Sequence, residues 1–148
     1  VDNDGRAHVR DEFYRRRVLQ GDVVAEARRM NEVYRPDVFI VDPSAAGLIA
    51  EMRSIGLRVN EATNDVMPGI QAVKARLVTS GDGQPRLTVS PQCANLLAEF
   101  ESYVWKEGRA GMKDEPEKVN DHALDALRYV VMALNRGPSV TTLRNPWN

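Results

Sequence analysis

Cysteine is almost absent from these 148 residues. Cys93 stands alone, so no internal disulfide framework can form, and the usage agrees with a reducing compartment. Its place on an apolar helical stripe reads as packing. No apolar run reaches the roughly 20 residues that a membrane helix needs, and no signal peptide is visible, so no membrane is expected among the partners. Neither sign of charge is in excess: the net charge is −1 and the pI is near 6.2. The whole-chain balance therefore lacks the footprint of a dedicated nucleic-acid binder, and any DNA contact must come from local clusters. There is no internal repeat and no low-complexity block. The chain opens on Val1 rather than Met, which suggests a trimmed or partial sequence.

What is present suits one ordinary α/β domain, since 43% apolar content supports a real core. Asn3-Asp4-Gly5 marks a hairpin turn, followed by a strand over Arg6 to Phe13 in which Ala7, Val9, Asp11 and Phe13 alternate with polar residues. Arg15-Arg16-Arg17 suits a solvated loop or helix end, or a phosphate contact. Asp22 is a candidate N-cap for a helix whose stripe is Val23, Ala27, Met30 and Tyr34, ended by Arg35-Pro36. Val38 to Val41 is continuously apolar, the pattern of a parallel strand buried on both faces. It stops at Asp42-Pro43-Ser44, where α/β folds place their ligands; a turn or helix cap is the other role open to Asp42.

A helix over Ala45 to Ser54 follows, with Leu48, Ile49, Met52 and Ile55 inward and Gly56 closing it. Leu57 to Ala62 reads as a strand. Pro68 suits the first helical position of the next helix, with Ile70, Val73 and Leu77 facing the core. Arg86 to Val89 is a short strand, and Pro91 opens a helix carrying Cys93, Leu96, Leu97, Phe100, Tyr103 and Val104. Trp105 to Asn120 is polar and glycine-containing, a loop that delivers the chain to the last helix. The domain is expected to span 1–136, with a tail over 137–148.

That last helix is the most informative stretch: Asn120-Asp121-His122-Ala123-Leu124-Asp125-Ala126-Leu127-Arg128-Tyr129. Leu124, Leu127, Val131 and Leu134 form one apolar stripe. Asp121 and Asp125 project together from the opposite side, with His122 one helical step from Asp125. A first-turn acid favoured by the helix dipole explains Asp121 equally well on local grounds. Tyr129 and Met132 continue the Asp125 face and are poor choices for bulk solvent, so that face is expected to be covered, with Asp125 at the mouth of a cleft. If Asp42 meets Asp125, two or three carboxylates converge and call for a counter-charge. A hard divalent cation, Mg²⁺ or Mn²⁺, fits better than zinc because thiolates are absent and imidazole is scarce. Two such ions about 3.5 to 4 Å apart would clamp the attacking and leaving oxygens of a phosphodiester, with His122 as a ligand or a water-orienting group.

Val41-Asp42-Pro43-Ser44-Ala45, Gly69-Ile70, Pro116 and the Asn120 to Tyr129 segment together resemble the C-terminal nuclease domain of tailed-phage terminase large subunits. The resemblance runs from about Val1 to Leu134, and the Asp-His-x-x-Asp segment is its most specific part. It implies an RNase H-like mixed sheet flanked by helices and a metal-dependent endonuclease that cuts double-stranded phage DNA during packaging. Asp42 and Asp125 correspond to metal-binding acids, and His122 and Asp121 to ligating or supporting groups. Glu12, in Asp11-Glu12-x-Tyr14, reads as structural. DNA contacts are expected from Arg15, Arg16, Arg17, Lys106, Arg109, Lys113 and Lys118. The implied partners are the terminase ATPase domain, the small terminase subunit and the portal, in the cytoplasm of an infected or lysogenic host.

Two departures bear on that expectation. The family's first, central strand and its acid should precede Asn3, and this sequence starts too late to hold them, so the domain is expected to lack that strand unless a longer chain or another segment supplies it. No G-x-x-x-x-G-K-[ST] loop occurs either, so these residues carry no ATP-driven motor. A catalytically silent remnant or docking module, or another RNase H-like nuclease such as a Holliday-junction resolvase, stays open at this point.

Overall fold

In chain order the elements are β1 (Ala7–Val9), α1 (Gln20–Tyr34), β2 (Phe39–Val41), α2 (Ala46–Ser54), β3 (Val59–Glu61), α3 (Val66–Leu77), β4 (Leu87–Val89), α4 (Ala94–Arg109) and α5 (His122–Asn135). The computed structural model describes residues 1–109 and 121–136, with the backbone alone over 104–109. The remainder of the expected loop and the expected tail lie outside the described residues.

The turn before β1 forms as its residues require. Gly5 takes φ +76°, which favours glycine, and Asp2 Oδ1 accepts the Asp4 and Arg6 amides at 3.0 and 2.9 Å. The strand that follows is shorter than alternation predicts: it ends at Val9, and Glu12 turns away to meet α4. Instead of one mixed sheet, the described residues form two small parallel sheets, flanked by helices. In one, β1 lies beside β4, with Ala7 opposite Leu87 and Val9 opposite Val89. In the other, β2 lies beside β3, with Phe39 opposite Val59 and Val41 opposite Glu61. Among the described residues no strand joins the two pairs, and the antiparallel pairing is one isolated bridge, Thr79 to Pro85. The parallel setting of β2 is as expected; its burial on both faces is not, because Phe39, Ile40 and Val41 are each only partly covered.

Each strand pair carries its own apolar cluster. Ala7, Leu87, Val73, Cys93, Leu96, Leu127 and Val131 close the first, drawn from β1, β4, α3, α4 and α5. Val24, Ala27, Ile49, Met52, Leu57 and Val59 close the second, beneath α1 and α2. Leu87 and Val131 are 2% and 0% exposed, so the first cluster is the drier centre. The α5 stripe is as its spacing predicts: Leu127 and Val131 are buried, and Leu124 and Leu134 pack at the edge. Cys93 is fully buried, and its thiol is pushed up first by that burial. It is a packing residue. Among the described residues no helix is long and apolar enough to cross a membrane.

Several boundaries move for local reasons. The N-cap of α1 is Leu19, not Asp22, which sits three residues in and accepts the Leu19 amide at 3.4 Å. In the α1 stripe it is Val24 and Ala27 that are buried, while Tyr34 is 52% exposed. Pro68 occupies the third helical position of α3 rather than the first, still within the turn whose amides lack intrahelical partners. Leu77, expected inward, is 41% exposed at the end of that helix. The helix expected from Pro91 begins at Ala94, just after Cys93, and runs on to Arg109, so Trp105 to Arg109 are helical rather than looped.

Candidate functional site

Asp42 is the first residue beyond β2, at the carboxyl end of a parallel strand pair. Both of its oxygens are engaged. Oδ1 accepts the Ser44 amide at 2.8 Å, which closes the turn into α2. Oδ2 accepts the Tyr129 hydroxyl at 2.6 Å, so the turn role and a role facing α5 coexist in one side chain. The Tyr129 hydroxyl first, then the Ser44 hydroxyl and amide, hold the Asp42 carboxyl below the usual range, and the Arg128 charge adds to this. Tyr129 responds in the opposite sense: burial, the bond to Asp42 and the charges of Asp42 and Asp125 push its phenol up to about 12.

Asp125 lies one helical turn before Tyr129, so their side chains share a face of α5. Its Oδ1 accepts Arg128 Nη2 at 2.6 Å. The guanidinium is 7% exposed and the carboxylate 39%, so the pair is open on the acid side. Arg128 Nη1 reaches the Asn64 carbonyl at 3.0 Å, on the segment between β3 and α3. Its aliphatic stem lies over Gly69, where any Cβ would collide with Cγ and Cδ. Glycine there admits the arginine between α3 and α5. Arg128 and Tyr129 thus tie α5 to the segments that leave the carboxyl ends of β3 and β2. Tyr129 bonds Asp42 and lies one helical turn from Asp125, so both acids stand beside the same phenol and both act on it.

The other expected site residues fall elsewhere. Asp121 is the N-cap of α5, where its side chain makes no capping bond. His122 is exposed and, among the described residues, enters no hydrogen bond or ion pair. No group of three or more His, Cys, Asp or Glu is arranged to hold a metal among the described residues, so the expected gathering of His122 with the two acids is not seen. The donor type of Asp42 and Asp125 suits a hard divalent cation, but two carboxylates do not complete its shell. Water or phosphate oxygens, or a further protein ligand, would fill the remaining positions, and Asp125 keeps its second oxygen clear of the Arg128 bond.

Arg15, Arg16 and Arg17 are exposed, with Arg17 at φ 54° and Arg15 stacked 5.0 Å from the Phe13 ring centre. Lys106 and Arg109 ride on the last turns of α4, and Lys113 and Lys118 lie outside the described residues. Two residues that build the site escape a reading by pattern, Arg128 and Tyr129 as a donor, and so does the buried Glu99 of α4. Glu99 carries a recoverable signal, because it stands three residues after Leu96 on the apolar face of α4, a poor place for an unpartnered acid.

No protein-family model matches the chain, and no curated protein does. Solved structures do match. The large terminase of a thermophilic bacteriophage, in complex with ATP-gamma-S, superposes with a TM-score of 0.63 at 34% sequence identity. A second crystal structure of that terminase gives 0.62 at 33% identity, and its ADP complex gives 0.59 at 32%. In each case the likeness covers 77% of this chain and 28% of the terminase, so the chain spans little more than a quarter of the protein it matches. In sequence and in fold, this chain is similar over most of its length to one segment of a phage large terminase.

Proposed function

We propose that the chain is the nuclease part of a phage terminase large subunit, an RNase H-like, metal-dependent endonuclease that cuts double-stranded DNA as the genome is packaged. The observation that carries this reading is the placement of Asp42 and Asp125 beside the same Tyr129 phenol, at the carboxyl end of a parallel strand pair, in a chain similar to a phage large terminase. The ATP-gamma-S and ADP belong to the phage protein's own structures. This sequence contains no G-x-x-x-x-G-K-[ST] loop, which favours the nuclease part over the ATPase part.

In this reading Asp42 and Asp125 hold Mg²⁺ or Mn²⁺ together with water or phosphate oxygens or a further protein ligand. When bound, the metal would stabilise charge on a phosphodiester and supply an activated water. The chain's own contribution is to hold the two acids in place. Tyr129 holds the Asp42 carboxylate, and Arg128 holds Asp125 and balances its charge. Arg15, Arg16 and Arg17 offer exposed cations to the DNA backbone, a contact that fixes register without reading sequence. The ATPase part, the small terminase subunit and the portal are the partners this reading implies, in the cytoplasm of the infected or lysogenic host.

The test is plasmid cleavage with Mn²⁺. The parent chain nicks or linearises the plasmid, and Asp42→Asn and Asp125→Asn each abolish cleavage while leaving the helical circular-dichroism signal unchanged. Undiminished cutting by both variants removes these acids from the mechanism. A second reading, a catalytically silent docking module, is favoured by the lack of any three-ligand group among the described residues. It predicts no cleavage and no Mn²⁺ heat in calorimetry.

A further inference from the structure

Among the described residues two charged side chains are deeply buried, Arg128 and Glu99. The candidate site accounts for the first and leaves the second without a role. A carboxylate in that position requires donors. Glu99 Oε2 finds two of them in the Ala123 and Leu124 amides, each at 2.9 Å. These are the second and third residues of α5, whose amides have no partner within the helix. Asp121, the N-cap and a favoured residue type for that position, leaves both amides to Glu99, which comes from another helix and also brings negative charge to the positive end of α5.

The same device stands one helix earlier. Glu12, past the end of β1, accepts the Leu96 amide through Oε2 at 3.0 Å, and through Oε1 the Asn95 amide at 2.8 Å and its side-chain nitrogen at 2.7 Å. Asn95 and Leu96 are the second and third residues of α4, the same helical positions. Burial acts to raise the Glu12 carboxyl, and these bonds outweigh it, so its pKa lies below the usual value. Glu99 is one turn further along α4, so whatever seats the start of that helix also sets how far Glu99 reaches. Glu99 Oε1 has no partner in hydrogen-bonding geometry, yet the Tyr14 phenol, two residues past Glu12, lies near enough for Glu99 to raise it.

We infer that Glu12 and Glu99 form a two-step capping relay, β1 to α4 and α4 to α5, that sets the height and rotation of the first turn of α5 and so the placement of Asp125 toward Asp42. Both are positioning residues. The consequence for DNA cleavage rests on the nuclease reading; the coupling between the two helix starts does not.

The test is residue-resolved amide exchange on the full chain, beside Mn²⁺-supported plasmid cleavage. Glu99→Ala speeds exchange at Ala123 and Leu124 roughly fivefold or more, the scale of a missing cap, and Glu99→Gln, which keeps an acceptor oxygen, restores it. Glu12→Ala speeds exchange at Asn95 and Leu96 and also at Ala123 and Leu124, which it does not touch. An effect of Glu12→Ala confined to Asn95 and Leu96 shows two separate caps and overturns the relay. If Glu99→Ala does not fold, Glu12→Ala carries the test through the same amides. Where the parent cleaves plasmid, Glu99→Ala lowers kcat with KM for DNA unchanged, and Glu99→Gln recovers it. An unchanged kcat despite loosened α5 amides overturns the positioning role. The exchange measurements stand even if the chain cuts no DNA, so the two readings fail separately.

Discussion

The hydroxyl of Tyr129 on α5 donates to Asp42 Oδ2 at 2.6 Å, so the acid that ends β2 is oriented by the last helix as well as by its own turn. The two apolar clusters share no residue, and this bond, with the Arg128 bond to the Asn64 carbonyl, is a polar tie between them. Stability and site geometry therefore depend on the same few atoms.

Tyr129→Phe removes a donor from a partly buried, charged acceptor and leaves the ring in place. The expected cost is about 1 to 3 kcal/mol in urea unfolding. The Asp42 pKa, followed by carboxyl chemical shift, rises toward the ordinary value. Unfolding and titration curves that overlay those of the parent would show that the bond does not persist in solution.

Gly69→Ala places a methyl group where the Arg128 stem runs. The guanidinium is held at both ends, by Asp125 and by the Asn64 carbonyl, so it cannot move aside freely. Overpacking of this kind costs about 1 to 3 kcal/mol. In an Arg128→Ala background the penalty disappears, and a double-mutant cycle by chemical denaturation measures the coupling. An additive result would mean that the alanine clashes with something else.

Asp2 provides a pH dependence of stability. The bond to His8 Nε2, 2.9 Å long, comes first among the causes that lower its carboxyl from 3.8 to about 2, followed by the Arg6 amide. A carboxyl depressed in the folded state contributes stability that is fully present above its unfolded pKa and is lost as pH falls through its folded one. Thermal midpoints should therefore decline between pH 4 and pH 2, and Asp2→Asn should flatten that part of the curve. An equally steep decline in the variant assigns the acid sensitivity to other carboxyls.

Leu87→Ala opens a cavity in the first cluster, where the side chain is 2% exposed. The expected loss is about 2 to 5 kcal/mol. Amides of α4 and α5 should exchange faster before those of α1 and α2, because the latter pack on the other cluster. Uniform acceleration would indicate that the two clusters unfold as one.

Replacing Arg15, Arg16 and Arg17 together by alanine tests the DNA contact of the proposed nuclease. The slope of log K against log salt becomes shallower by roughly 0.9 for every phosphate that is no longer neutralised. Fluorescence anisotropy on a duplex at several salt concentrations reads that slope. If it does not change, the three arginines are a solvated loop.

Periodicity and turn chemistry were enough to place the helices, the turn at Gly5, the parallel setting of β2 and the inward stripe of α5, because each depends on neighbours within a few residues. An acid at a strand end and an acid on a helix face marked Asp42 and Asp125 as candidates from sequence, and in the structure both stand beside Tyr129. Tertiary structure alone decided which groups hold those acids. Glu99 meets α5 across 24 residues, Tyr129 meets Asp42 across 87 and Arg128 meets Asn64 across 64, and no spacing rule extends that far. Pairing was likewise settled in three dimensions: a strand of three residues has too few ladder bonds to name its partner, so two small parallel sheets stand where alternation alone suggested one.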